Sequence, residues 1–216
     1  MTRVMKAFVA SLALLTFACS ADDSDAKFKD GKQYKQVKKV AQPADPKRIA
    51  VEEFFWYGCQ HCYHFEGTIE AWAASKPADV DFIRVPASLG RPEGKAHQQA
   101  FYTAEVLNVT DKIHTPLFQG IHDQRRNLFT QETLRAFFNQ QSGVLPDVFD
   151  STYTGFAVNS RVGKAEQLAR DYLILSVPTV VVGGKYQTNS NMAGDFPKVA
   201  EVVNFLVEKV RKERQR

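Results

Sequence analysis

The strand-forming run RIAVEEFF (48–55) passes, after three residues, into CQHCYHFEGTIEAWAAS (59–75), where Cys62, Phe65, Ile69, Trp72 and Ala73 recur at helical spacing before Pro77 closes the segment. DVDFIRV (79–85) then alternates as a second strand should. Strand, helix and strand in that order imply a parallel pair joined by a crossover helix. This unit constrains the fold more than any other feature, because it also sets two cysteines at the junction of a strand and the first turn of a helix.

The rest of the chain fits around it. QYKQVKKV alternates weakly, as an edge strand would. From Lys95 to Leu175 the pattern is almost wholly helical. TQETLRAFFNQQSG opens with Thr130 as N-cap and Glu132 in the first turn, and ends at Gly143; a longer periodic run covers Ser160 to Ile174. Phe101, Phe118, Phe129, Phe137, Phe138 and Phe149 are expected to form this block's own core. VPTVVVGGKYQ reads as a hairpin turning at Gly183-Gly184, and PKVAEVVNFLVEKVRK as a closing amphipathic helix. A helical block is thus set between a β-α-β beginning and a β-β-α end. The fold class is α/β, a thioredoxin fold with an inserted α-helical domain: residues 33–87 and 176–216 form the thioredoxin-like part and 88–175 the insertion.

The first twenty residues carry Arg3 and Lys6, then an apolar run from Ala7 to Ala18, then small residues, which is the pattern of a secretory signal. Cleavage just beyond Cys19 removes it; the order Ala18-Cys19 also resembles a lipoprotein cleavage site, with Thr16 where Leu is usual. Residues 21–32 read as a tether. Of the formal charge of +4, Arg3 and Lys6 belong to the leader, leaving about +2 and no case for nucleic-acid binding. The basic C-terminal EKVRKERQR suits the negative pole of a helix end.

An exported chain of this kind keeps Cys59 and Cys62 alone, without the stapling framework common where disulfides persist. Three readings of the pair compete. A structural disulfide over so short a loop would restrain the unfolded chain little. Zinc or copper could be held by both cysteines with His61 or His64, but a structural zinc site usually needs a second ligand pair, and His97, His114 and His122 are dispersed through the helical block as ordinary core or surface histidines are. A redox pair fits the placement: unpaired N–H groups and the positive pole of a helix N-terminus favour a thiolate at Cys59, His61 adds a donor or charge, and Cys62, one turn further in, is the more buried resolving thiol.

EFFWYGCQHCYHFE, together with SVPTVVVGGKYQ and DGKQY near the start, resembles the DsbA family of periplasmic thiol:disulfide oxidoreductases across most of the chain. The resemblance implies that Cys59 attacks, Cys62 resolves, His61 stabilises the thiolate, and Pro178 is a cis-proline facing the disulfide. Val177 would offer backbone hydrogen-bonding groups to an extended substrate, with Gln60 beside it in the dipeptide. Alternation cannot choose between Glu52 and Glu53 as a buried acid, with a solvated carboxylate the competing reading for each; the resemblance points to Glu53, as a proton relay to Cys62. Gln60 stands where many members carry Pro, and Arg84 about where some have lysine.

The implied activity is donation of the Cys59–Cys62 disulfide to exported, unfolded proteins by a monomer, with reoxidation by a DsbB-type membrane quinone reductase and no cofactor beyond the disulfide itself. The alternatives are a periplasmic reductase or isomerase, although the family's dedicated isomerases use a dimerisation domain that no segment here supplies, and a metal-carrying or chaperone module.

Overall fold

The computed structural model describes residues 27–42 and 45–215; the leader and Cys19 lie outside them. The strands are β1 (Lys35–Gln36), β2 (Ile49–Phe55), β3 (Val80–Pro86), β4 (Thr179–Val182) and β5 (Tyr186–Thr188), in one sheet ordered β1-β5-β4-β2-β3. β2 and β3 are parallel and joined through α1 (Gln60–Ser75), as the sequence requires. β4 lies antiparallel to β2 and to β5. The β4–β5 turn uses Gly183 and Gly184 at φ +62 and +64, left-handed values that suit glycine, and a Cβ on Gly183 would stand 2.9 Å from Val210.

Between β3 and β4 run α2 (Pro92–Val106), α3 (Thr110–His122), α4 (Gln131–Ser142), α5 (Pro146–Tyr153) and α6 (Phe156–Tyr172); α7 (Ser190–Ala193) and α8 (Phe196–Arg214) follow β5. The helical block starts at Pro92 rather than Lys95, because proline at the first helical position costs no hydrogen bond. α6 starts at Phe156 and stops at Tyr172, earlier at both ends than expected, with Leu173 capping it in left-handed backbone. Thr130 caps α4 in a reciprocal capping box with Thr133, and Gly143 closes that helix at φ 75.

Two apolar cores flank the sheet. One joins α1 and α8 to Ile49, Val51, Val180 and Val182; the other joins the opposite face to the helical block. Five of the six phenylalanines expected in the helical core are buried, while Phe129 is half-buried with its ring 5.1 Å from His97. The expected tether gives way to folded chain from residue 27 onward: Phe28 is buried with its ring 5.6 Å from that of Phe205, and Asp30 bridges to Tyr34. The edge strand read in QYKQVKKV is two residues long and pairs with Tyr186 and Gln187 of β5. Its short length and its lysines limit the open edge.

Candidate active site

The loop Trp56-Tyr57-Gly58 carries the chain from β2 into α1 and leaves Cys59 as the helix N-cap, with extended backbone (φ −92, ψ 113). The N–H of Cys62 donates to Cys59 Sγ at 3.3 Å, so the sulfur takes the place a capping oxygen usually fills. Cys59 is half-buried and Cys62 buried, both as free thiols. On the other side of Cys59, Val177 O lies 3.5 Å from Sγ, and the Val177–Pro178 peptide bond is cis. A loop 118 residues away in sequence thus closes on Cys59 Sγ.

This geometry separates the two thiols. A hydrogen bond from the Cys62 thiol, aided by the backbone N–H groups of Cys62 and His61 and by the charge on His61, brings Cys59 down to about 6 against the opposing effect of burial. Burial, followed by the proximity of Cys59, pushes Cys62 far above the usual thiol range. These shifts favour a thiolate on the half-buried Cys59 and a proton on the buried Cys62 at neutral pH. Gln60 and His61 occupy the exposed first turn beside them.

Glu53 lies fully buried within electrostatic reach of Cys62, and neither of its oxygens has a hydrogen-bond donor. Arg84, across from it on β3, brings Nε to 3.5 Å from Glu53 Oε2, an ion-pair distance without hydrogen-bond alignment. The same guanidinium lies 3.4 Å from Glu66 and binds Glu70. Burial and, after it, the charge of Glu66 push Glu53 up to about 8, with Arg84 opposing. Glu52 is also buried, contrary to the solvated reading, because β2 is paired on both edges and covered on both faces; burial raises it to about 7 while the Tyr172 hydroxyl donates to it at 2.9 Å.

Sequence reasoning did not foresee the histidines' role in holding the active-site loop. Tyr57 hydroxyl and His114 Nδ1 share a hydrogen bond of 2.8 Å, and His122 Nε2 donates to the Tyr57 carbonyl at 2.8 Å. Tyr63 of α1 stacks on His122 at 5.1 Å and 9°, and its hydroxyl donates to Asp123 at 2.6 Å. His97, whose Nε2 donates to Leu128 O at 2.7 Å, is pushed down to about 4 by burial. The spacing of His114, Phe118 and His122, four residues apart on one helix, was the available signal that they share a face. Among the described residues, the group whose possible metal-ligand atoms all lie within 4.8 Å of one another is Glu66, Glu70 and His114, without the cysteines. Arg84 already places a cation on both of its carboxylates.

Residues 50–200 match the profile of the DSBA-like thioredoxin domain. The thiol:disulfide interchange protein DsbA of Pseudomonas aeruginosa is 38% identical over 208 residues, 96% of each chain, and that of Azotobacter vinelandii is 38% identical over 209 residues, 96% of this chain and 97% of the relative. The crystal structure of Pseudomonas aeruginosa DsbA superposes with a TM-score of 0.81 at 37% identity, over 88% of this chain and 97% of that one. The oxidoreductase DsbA from Xylella fastidiosa gives 0.77 at 31% identity, over 84% and 97%. The chain belongs to the DsbA-like family of thioredoxin-fold proteins.

Proposed function

We infer that this protein is a thiol:disulfide oxidoreductase that passes the Cys59–Cys62 disulfide to exported polypeptides in the periplasm. The observation that carries this reading is the division of labour between the sulfurs, an acidic, accessible Cys59 against a buried Cys62 held protonated. A substrate thiolate attacks Cys59 Sγ of the disulfide; the S–S bond breaks, and Cys62 leaves with the electron pair and takes a proton. A second substrate thiolate then attacks the substrate sulfur of the mixed disulfide, and Cys59 departs as a thiolate. The substrate loses two electrons and the protein gains them.

The lowered Cys59 value favours this direction. A thiolate exists only in the reduced protein, so whatever lowers Cys59 to about 6 stabilises the reduced form over the disulfide at neutral pH and makes the disulfide the stronger oxidant. His61 supports the thiolate, and Glu53, raised near neutrality, gives and takes the Cys62 proton. Val177 offers backbone groups to an extended substrate on the side of Pro178, with Gln60 exposed beside Cys59. A DsbB-type membrane quinone reductase restores the disulfide. The leader read in residues 1–20 accounts for export, and among the described residues no helix is long and apolar enough to cross a membrane.

Equilibration with glutathione tests the reading. The expected result is a potential well above that of thioredoxin, together with oxidative refolding of a reduced substrate protein. A potential near that of thioredoxin would instead make the protein a reductant.

A further inference from the structure

Two hollows, of about 420 and 570 Å³, adjoin along the seam between the β3–α2 loop and α6, sharing Ser88, Gly90 and Glu166. The smaller is lined by Leu89, Leu173 and Leu175, which are 37%, 43% and 75% exposed and belong to neither core. Leu89 and Leu173 hold left-handed backbone, at φ 51 and φ 58. A bulky residue at positive φ is uncommon, and at the end of a helix such as α6 that conformation usually falls to glycine. These leucines forgo both an easy backbone and full burial, and both line one hollow. Such outliers point to function.

The larger hollow differs in chemistry. Arg91 and Lys95 line it, and the buried Gln98 at its wall donates through Nε2 to Pro86 O and Glu166 while its Oε1 has no partner. Lys38 and Arg170 line the smaller hollow, so four cations meet one carboxylate, Glu166, along the whole cleft. Both ends are linked to the redox centre through neighbouring residues. Leu175 is two residues from Val177, whose carbonyl lies 3.5 Å from Cys59 Sγ. The Arg91 guanidinium sits over the ring of Trp56, whose carbonyl accepts from the Cys59 N–H.

We propose that this cleft extends the substrate site, taking in extended form the segment that flanks the reacting cysteine of an exported polypeptide, with apolar side chains against Leu89, Leu173 and Leu175 and acidic ones towards Arg91 and Lys95. The proposal rests on the oxidoreductase reading. It adds a preference that the redox chemistry itself does not impose: apolar residues followed by acidic ones beside the cysteine.

The test compares the oxidation of two cysteine peptides, one with leucine and aspartate flanks and one with serine and lysine flanks. The wild-type protein should favour the first by about tenfold in kcat/KM, through KM. In the double variant Leu89→Asn, Leu173→Gly, both new residues suit positive φ, so the melting temperature should hold or rise while the ratio falls towards one. Should that variant fail to fold, Lys95→Gln supplies the same test, because it should lower the ratio by weakening the acidic peptide alone. Equal rates for the two peptides with wild type, or a ratio unchanged in the variants, would overturn the cleft proposal. No exchange of the wild-type disulfide even with dithiothreitol would overturn the oxidoreductase reading and the cleft with it.

Discussion

Glu52 and Glu53 are neighbours on β2, yet alternation sends them to opposite faces of the sheet and into different surroundings. On one face Glu52 meets Tyr172, whose hydroxyl donates to it, whose carbonyl accepts from Gln187 at 3.0 Å, and whose ring packs on Phe54 at 5.8 Å. On the other face Glu53 meets charges, Arg84, Glu66 and Glu70, and no hydrogen-bond donor. Burial raises both carboxyls, to about 7 and about 8. A satisfied carboxyl is a fixed piece of the core. An unsatisfied one within electrostatic reach of a buried thiol is the better placed of the two to exchange a proton with it, and for that reason the proposed relay falls on Glu53.

The largest stability effect should come from the charged face. Arg84→Met leaves three carboxyls without their shared cation and should cost about 3 kcal/mol in denaturant unfolding. Adding Glu53→Gln should return part of it. A loss below about 1 kcal/mol would show that the guanidinium is not what holds the cluster.

The kinetic contrast is next. Glu53→Gln should slow formation of the mixed disulfide, the step in which Cys62 leaves and takes a proton, by about 10- to 100-fold in stopped-flow mixing, as loss of a general acid–base does. Glu52→Gln should stay within about twofold. Equal slowing by both would erase the distinction between the faces.

Stability against pH sharpens it further. Both folded values lie above 4.5, so both groups favour the native state most below that value, and their contribution fades as pH rises through about 7 and about 8. Denaturant titrations should show Glu52→Gln removing a decline that ends near pH 7 and Glu53→Gln one that continues to about pH 8. The smallest effect is expected from Tyr172→Phe, which deletes one buried hydrogen bond and should cost about 1–2 kcal/mol while raising Glu52 further.

What was legible in the sequence was local chemistry. The strand before Cys59, the helix after it, the Val-Pro-Thr loop and the glycine hairpin each carry their own signal within a few residues. Alternation also placed Glu52 and Glu53 on opposite faces, but burial of both depends on β3, β4 and the helical block covering β2, which no window on β2 contains. The Tyr57 contacts with His114 and His122 span 57 and 65 residues, so composition offered three ordinary histidines and the fold alone brought two of them to the loop before Cys59. The pair of left-handed leucines was equally silent, because positive φ at Leu89 and Leu173 is a property of how the chain is closed rather than of the residue type.

The most direct measurement is the ultraviolet thiolate absorbance of the reduced protein against pH, with Cys62→Ala, which has no side-chain donor, as the control that leaves Cys59 alone. A midpoint at about 6 for Cys59, shifted upward in the control by loss of the Cys62 thiol donor, is the predicted result. A wild-type midpoint near 9.0, the ordinary thiol value, would contradict the account of Cys59 as a helix-capping, easily released thiolate.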